Sequence, residues 1–189
     1  MKTHHKVLWW PVTGAAAVGL TSSLLQTIER IQALEHPANK LACDLSAVFS
    51  CSNVFGAWQS HVFGFSNSLI CMMFFALTAG VGLAAATGSQ LNAAVRHIFH
   101  FFAVFFLGFG AWYLGQSTYR IGFICIFCLA CYSAVILMNW AWFRLQYREW
   151  PLRPLAALRL ETFVRRGGDV FLAVLWALAV AAMIVFHFW

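Results

Sequence analysis

Four cysteines fall into two pairs whose spacing permits thiol–disulfide exchange. Cys125 and Cys128 form a Cys-x-x-Cys motif at the entrance of a long apolar stretch, and Cys43 and Cys51 lie in a long connecting segment. Thiols one helical turn apart can form a disulfide and exchange it with other thiols through mixed disulfides. For a single Cys-x-x-Cys motif, small cysteines that pack between membrane helices are an equally plausible interpretation.

The composition of the chain is that of an integral membrane protein. Hydrophobic residues make up 62% of the 189 residues, and charged residues make up 10%, compared with roughly 25% in soluble domains. The polar stretches are too short to bury the core of a separate soluble domain. The net charge of +6 does not indicate a nucleic-acid partner, because nine of the twelve Lys and Arg residues lie in segments that we place on one side of the membrane.

Five apolar stretches are long enough to span a membrane, and we treat residues 1–189 as one domain. The predicted spans are residues 7–28, 67–86, 93–114, 121–143 and 170–189. The first is interpreted as an uncleaved helix, because its apolar run exceeds that of a signal peptide. Residues 29–66 form an outer loop, in which 44–49 or 52–58 could be a short interfacial helix. Residues 144–169 form a basic connection with an amphipathic helix predicted at 155–164.

The distribution of basic residues predicts the orientation of the chain. Nine of them fall on one side: Lys2, Lys6, Arg96, Arg144, Arg148, Arg153, Arg159, Arg165 and Arg166. Arg30, Lys40 and Arg120 fall on the other side. Basic loops stay in the cytosol, so the N-terminus is predicted to be cytoplasmic and the C-terminus extracytoplasmic. Both cysteine pairs then share the outer, oxidising side of the membrane.

Two thiol pairs at one membrane surface are the arrangement of a disulfide relay. The loop pair can exchange with the dithiol of a soluble partner, and the helix pair can pass the electrons into the membrane. The expected acceptor is a membrane-soluble two-electron carrier, which means a quinone. Tyr132, one turn deeper than Cys128, could offer its hydroxyl to a molecule bound there. Cys71 and Cys131 are expected to be packing residues rather than relay members.

The arrangement of these motifs resembles the vitamin K epoxide reductase family in its bacterial form. The matching stretches are Cys43 followed by Cys51-Ser-Asn-Val-Phe and Trp58, then Ser66-Asn67-Ser68, then Cys125-Ile-Phe-Cys128 with Tyr132. The resemblance extends from Trp9 to about Phe143. It implies an all-α membrane protein in which a four-helix bundle surrounds a quinone pocket, with a peripheral fifth helix and a periplasmic loop with a short helix that caps the pocket.

The resemblance also implies roles for individual residues. Cys43 would exchange with the partner, Cys51 would relay to Cys125, and Cys128 would face the quinone ring. Asn67 and Tyr132 would donate hydrogen bonds to the quinone oxygens, which stabilises the charge that develops there. The residues expected to cap the pocket are Val54, Phe55 and Trp58.

The expected function is that of a thiol oxidoreductase of the bacterial inner membrane. It would oxidise a separate periplasmic thioredoxin-fold protein and reduce ubiquinone or menaquinone, without a metal, in support of disulfide-bond formation. Reduction of a vitamin K epoxide-like substrate is an alternative that uses the same site. A four-helix bacterial disulfide-bond oxidase is less consistent with this sequence, because in those enzymes the Cys-x-x-Cys pair precedes the spaced pair. A non-enzymatic binder of soft metal ions is the alternative from another class.

Overall fold

The computed structural model describes residues 2–36 and 39–189, with side chains described from residue 7 onward in these ranges. Residues 37 and 38 of the predicted outer loop lie outside the described residues, and so do the side chains of Lys2 and Lys6, which entered the charge count.

The described residues form seven α-helices and no β-strand, so the predicted all-α fold is confirmed. The helices are α1 (Lys2–Glu35), α2 (Cys51–Gly56), α3 (Asn67–Thr87), α4 (Ala93–Gln116), α5 (Ile126–Gln146), α6 (Pro154–Arg165) and α7 (Gly168–Phe188). Among the described residues, five of them are long and apolar enough to cross a membrane: α1, α3, α4, α5 and α7. A short 3₁₀-helix, Trp58–His61, follows α2 in the outer loop.

Four of the long helices form a bundle. Helix α1 packs against α3 and α5, and α4 packs against α5. Large apolar side chains fill the centre, where the rings of Trp9 and Trp142 meet edge to face with centroids 5.0 Å apart. Phe75 and Met138 are fully buried beside them. The outer faces carry exposed apolar side chains, as expected for helices that face lipid rather than water.

Helix α7 lies on the outside of the bundle and packs mainly against α5. Its first turn is attached by Asp169, a buried carboxylate that accepts hydrogen bonds from Arg144 and from the indole nitrogen of Trp140, the latter at 2.9 Å. Most of the remaining surface of α7 is exposed, including Phe171 and Leu178. The helix is therefore fixed at one end while most of its length faces lipid.

Helix boundaries differ from the sequence prediction where backbone geometry intervenes. Helix α5 begins at Ile126 rather than at residue 121, because Gly122 takes the left-handed conformation with φ of +77° and the chain is extended at Cys125. Left-handed backbone favours glycine, which has no Cβ atom to clash. In the outer loop, α2 overlaps the second of the two candidate segments, and residues 44–49 are not helical.

Candidate redox site

The loop pair, Cys43 and Cys51, is joined by a disulfide with the Cα atoms 5.7 Å apart. Asp44 organises the segment between them, because its carboxylate accepts hydrogen bonds from the Ser50 hydroxyl at 3.0 Å and from the Ser52 backbone N–H at 3.1 Å. Burial raises the pKa of Asp44, but the hydrogen bonds from Ser52 and Ser50 outweigh it and lower the pKa below 3.8. The carboxylate thus holds the first turn of α2, which begins at Cys51.

A short backbone pairing joins the outer loop to the start of α5. The Ile124 N–H donates to the Val48 carbonyl at 2.9 Å, and the Ser50 N–H donates to the Ile124 carbonyl at 3.2 Å. This pairing places the next residues of the two segments side by side, so that the sulfur atoms of Cys51 and Cys125 lie 3.5 Å apart. Both side chains are fully buried. The two predicted cysteine pairs are therefore in direct contact.

The thiol of Cys125 lies in a setting that favours its thiolate. The main cause is a hydrogen bond from the Cys128 side chain, which lowers the pKa of Cys125. Burial opposes this effect, whereas the backbone N–H groups of Cys128 and Phe127 at the start of α5 add to the lowering. Because the thiolate is the reactive form in disulfide exchange, Cys125 is suited to exchange with Cys51.

Cys128 lines a cavity on the opposite side of the site from the loop pair. The cavity lies between α1, α3, α4 and α5 and has a volume of about 60 Å³. Its apolar wall includes Phe75, Phe106, Phe109, Leu114 and Val135, and its polar side chains are Gln26, Ser60, Asn67, Ser68, Tyr113 and Tyr132. A mostly apolar lining with a few polar groups is typical of a site for a small organic molecule.

Asn67 lines the cavity, and one of its hydrogen-bonding groups already has a partner. Its side-chain N–H donates to the Gln59 carbonyl at 2.7 Å. Its carbonyl oxygen is buried and has no hydrogen-bond partner among the described residues. Reversing the amide would set two carbonyl oxygens against each other, so the assignment follows from the hydrogen bond. Asn67 thus keeps one N–H donor and its carbonyl acceptor for a ligand, and the predicted donor role toward a quinone stays a prediction.

Tyr132 also lines the cavity, and its hydroxyl already has two partners. The hydroxyl donates to the Leu107 carbonyl of α4 at 3.2 Å and accepts a hydrogen bond from the indole N–H of Trp176 at 2.8 Å. The ring lies against Gly110, where an added Cβ atom would overlap it. Glycine at this position thus permits the close approach of α4 and the Tyr132 ring.

Gln26 was not predicted as a site residue. It lies on α1, lines the cavity, and its side-chain N–H donates to the sulfur of Cys128 at 3.4 Å. A polar amide in an otherwise apolar stretch was the available signal, since such side chains in membrane helices bind one another or mark functional sites. Its partner could not be identified from the sequence, because the two residues lie on different helices.

The three residues predicted to cap the pocket are not among those that line the cavity in the described part of the chain. Val54 and Phe55 are buried in a cluster with Cys43, Cys51 and Cys125. They therefore pack around the sulfur atoms of the relay. Their contact with a quinone stays a prediction.

Trp58, the third predicted cap residue, lies at the surface. It is 60% exposed, and its ring lies 6.3 Å from that of Trp112, centroid to centroid. Its role at the pocket likewise stays a prediction.

Two further cysteines line the same cavity. Cys71 and Cys131 are free thiols, and the Cys131 thiol donates to the Gly19 carbonyl at 3.6 Å. This contact ties α5 to α1 and fits the packing role that we expected. Within the residues that the structure describes, no cluster of three or more His, Cys, Asp or Glu side chains is arranged to hold a metal ion.

A comparison with known families agrees with this geometry. The model of the Vitamin K epoxide reductase family matches residues 10–143, which contain both cysteine pairs, the cavity lining and most of the four helices of the bundle. No curated protein matches the chain. Since the match covers well over half of the sequence, the chain belongs to the vitamin K epoxide reductase family and is a membrane redox enzyme of that type.

Proposed function

We propose that this protein oxidises the dithiol of an extracytoplasmic thioredoxin-fold partner and transfers the electron pair to a quinone in the bacterial inner membrane. The observation that carries the proposal is the 3.5 Å contact between the sulfur atoms of Cys51 and Cys125. This contact links a disulfide in the outer loop to a dithiol whose second member, Cys128, lines an apolar cavity.

The first step takes place at the outer loop. A partner thiolate attacks Cys43, because Cys51 is already covered by Cys125. The partner's second thiol then releases the partner as a disulfide and leaves Cys43 and Cys51 as thiols. Cys43 is only 1% exposed, so the loop must open locally before this attack. The hydrogen bond from the Ala42 N–H to Glu29, at 3.2 Å, is among the contacts that must break.

The second step is internal exchange. The Cys51 thiolate attacks Cys125 in a Cys125–Cys128 disulfide, and Cys128 leaves as a thiolate. Cys43 then attacks Cys51, which restores the loop disulfide and releases Cys125. The result is a loop disulfide with reduced Cys125 and Cys128, which is the state of the described structure. In this state the electron pair is stored beside the cavity.

The cavity residues fit a quinone as the electron acceptor. When bound, a quinone takes up two electrons and two protons, which is what Cys125 and Cys128 release as they form a disulfide. Gln26 donates a hydrogen bond to the Cys128 sulfur and so favours its thiolate. The unpaired oxygen of Asn67 offers an acceptor in the same cavity. The apolar wall favours a ring over water.

Quinone reduction by the purified protein tests this proposal. The assay supplies a reduced thioredoxin-fold dithiol protein and a short-chain quinone, and it follows quinone absorbance. Wild type should turn over, whereas Cys125→Ala and Cys128→Ala should each lose activity. Ser133→Ala is the matched control on the same helix, because Ser133 is exposed and its hydroxyl bonds only to Leu129 of its own helix. Wild-type protein that keeps its thiols reduced with every quinone tested would refute the proposal.

The orientation is tested separately by labelling in whole cells. A membrane-impermeant maleimide should label a cysteine introduced at Trp189, beyond the end of α7, and should not label one at Arg153, between α5 and α6. The opposite pattern would place the loop pair in the cytosol and would exclude an extracytoplasmic partner.

A further inference from the structure

Helix α7 lies outside residues 10–143, which match the family model, yet it contacts the cavity wall. The indole N–H of Trp176 donates to the Tyr132 hydroxyl at 2.8 Å. Tyr132 is part of the lining of the cavity, and Trp176 is not. The fifth helix therefore reaches the candidate quinone site through a single side chain that stands behind a lining residue.

The two hydrogen bonds of the Tyr132 hydroxyl are not equivalent. A phenolic hydroxyl has one donor and two acceptor lone pairs. The O–H group donates to the Leu107 carbonyl at 3.2 Å, which is long for an O–H donor. The bond from Trp176 uses a lone pair of the same oxygen. A ligand oxygen in the cavity could take over the donor while the Trp176 bond persists. The Trp176 bond also polarises the hydroxyl and strengthens the bond that the hydroxyl donates.

Helix α7 is held firmly enough to position this contact. One end is attached by the buried Asp169 to Arg144, and near the other end the His187 ring packs against Tyr119 at 5.0 Å between centroids. Trp176 lies between these attachments. Because a polar group that loses its partner inside a membrane cannot turn to water, the Trp176–Tyr132 bond favours one position of both side chains.

We propose that Trp176 is a positioning residue of the quinone site, which fixes and polarises the Tyr132 hydroxyl so that this hydroxyl donates to a quinone oxygen. The inference rests on the function proposed above and assigns α7 a part in it. Trp176 does not touch the reacting atoms, so its effect must pass through Tyr132. Substitution of Trp176 should not affect disulfide exchange between the dithiol partner and Cys43 and Cys51 in the outer loop.

A double-mutant cycle tests this inference. Trp176→Phe keeps an aromatic ring and removes the N–H, and Tyr132→Phe removes the hydroxyl. Loss of one neutral hydrogen bond corresponds to about a five-fold change in an equilibrium constant. We expect Trp176→Phe to raise the KM for a short-chain quinone about five-fold, with little change in the rate at which a reduced dithiol protein reduces the loop disulfide. In the Tyr132→Phe background, Trp176→Phe should have no further effect.

Trp10→Phe is the control for exchanging a tryptophan in a membrane helix, because Trp10 is 56% exposed on α1. A Trp176→Phe variant whose KM equals that of Trp10→Phe would overturn the inference. So would equal effects of Trp176→Phe with and without the Tyr132 hydroxyl, since these would indicate a packing role. Either result leaves the proposed function intact, whereas wild-type protein that does not reduce quinone refutes both.

Discussion

Replacing Gln26 with leucine should slow electron transfer to quinone without affecting the loop pair. The side-chain N–H of Gln26 donates to the Cys128 sulfur at 3.4 Å. Leucine is one bond shorter, fills most of the space and supplies no donor. The Cys128 thiolate, which the proposed reaction needs, would lose a hydrogen bond to a charged group in surroundings with little water.

The size of the effect follows from the energy of that bond. A hydrogen bond to a charged group contributes about 1.5–3 kcal/mol, so its loss lowers the thiolate population roughly 10- to 150-fold at a pH where most of the thiol is protonated. A less stable thiolate is also a better nucleophile, with a Brønsted coefficient of about 0.4–0.5 in disulfide exchange, which restores nearly half of the loss on a logarithmic scale. The expected net decrease in rate is therefore roughly 4- to 15-fold.

Single-turnover kinetics measure this rate directly. The enzyme is reduced beforehand and mixed with a short-chain quinone, and the quinone absorbance is followed across a range of pH. The deficit of Gln26→Leu should stay the same wherever the Cys128 thiol is mostly protonated, because the lost bond then lowers the thiolate population by one factor at each pH. Thr21→Val is the matched control, since Thr21 is an exposed polar residue of the same helix whose hydroxyl bonds to the Ala17 carbonyl at 3.0 Å.

Two results would refute the reasoning about Gln26. A Gln26→Leu variant with the wild-type rate at neutral pH would show that the amide does not act on Cys128. A slower reduction of the loop disulfide in Gln26→Leu would show that leucine disturbs packing as well as the Cys128 thiolate. Reduction of the loop disulfide by a dithiol partner, measured on the same preparations, should be unchanged in all three proteins.

Three other substitutions give separate expectations. The folded pKa of Asp44 is below its ordinary 3.8, so its bonds to α2 stabilise the loop above pH 3.8 and are lost as the pH falls through the lowered value. Reduction of the loop disulfide by a phosphine should therefore accelerate in acid, and Asp44→Asn should remove that acceleration. Gly110→Ala should displace the Tyr132 ring and raise the KM for quinone several-fold, whereas an unchanged KM would mean that α4 can move aside. Asp169→Asn leaves the Arg144 guanidinium without its charged partner and should lower the free energy of unfolding by about 1.5–3 kcal/mol. The midpoint temperature of thermal inactivation in detergent should fall, and an unchanged midpoint would contradict this expectation.

The main features of the fold and the family could be predicted from the sequence because they depend on local patterns. Apolar length identifies membrane helices, and the order of the cysteines with their flanking motifs identifies the family. The contact between Cys51 and Cys125 was implied by that resemblance. Its physical cause, the backbone pairing of residues 48–50 with Ile124, was not visible, because an extended pairing of two short loop segments has no periodic signal.

Contacts between helices could not be predicted from the sequence. Gln26 contacts Cys128 and Trp176 contacts Tyr132, although each pair lies on helices that are distant in the chain. Membrane helices are apolar on all sides, so the pattern of hydrophobic residues does not indicate which helix faces pack together. Asn67 was identified, but the bond from one of its two N–H groups to the Gln59 carbonyl was not. The direction of a hydrogen bond depends on a backbone group whose position only the folded chain determines.

In the quinone site proposed above, the unpaired carbonyl oxygen of Asn67 would favour the reduced form of the bound molecule over the oxidised form. A quinone carbonyl has no proton to offer this oxygen, whereas a quinol hydroxyl does. A site that binds the quinol more tightly by one hydrogen bond, about 1 kcal/mol, raises the midpoint potential of the bound couple by about 20 mV. Electron transfer from Cys125 and Cys128 to the quinone is thereby favoured, and release of the quinol is slowed. Turnover should then be sensitive to product inhibition, and a membrane rich in quinol would slow disulfide formation at its outer surface.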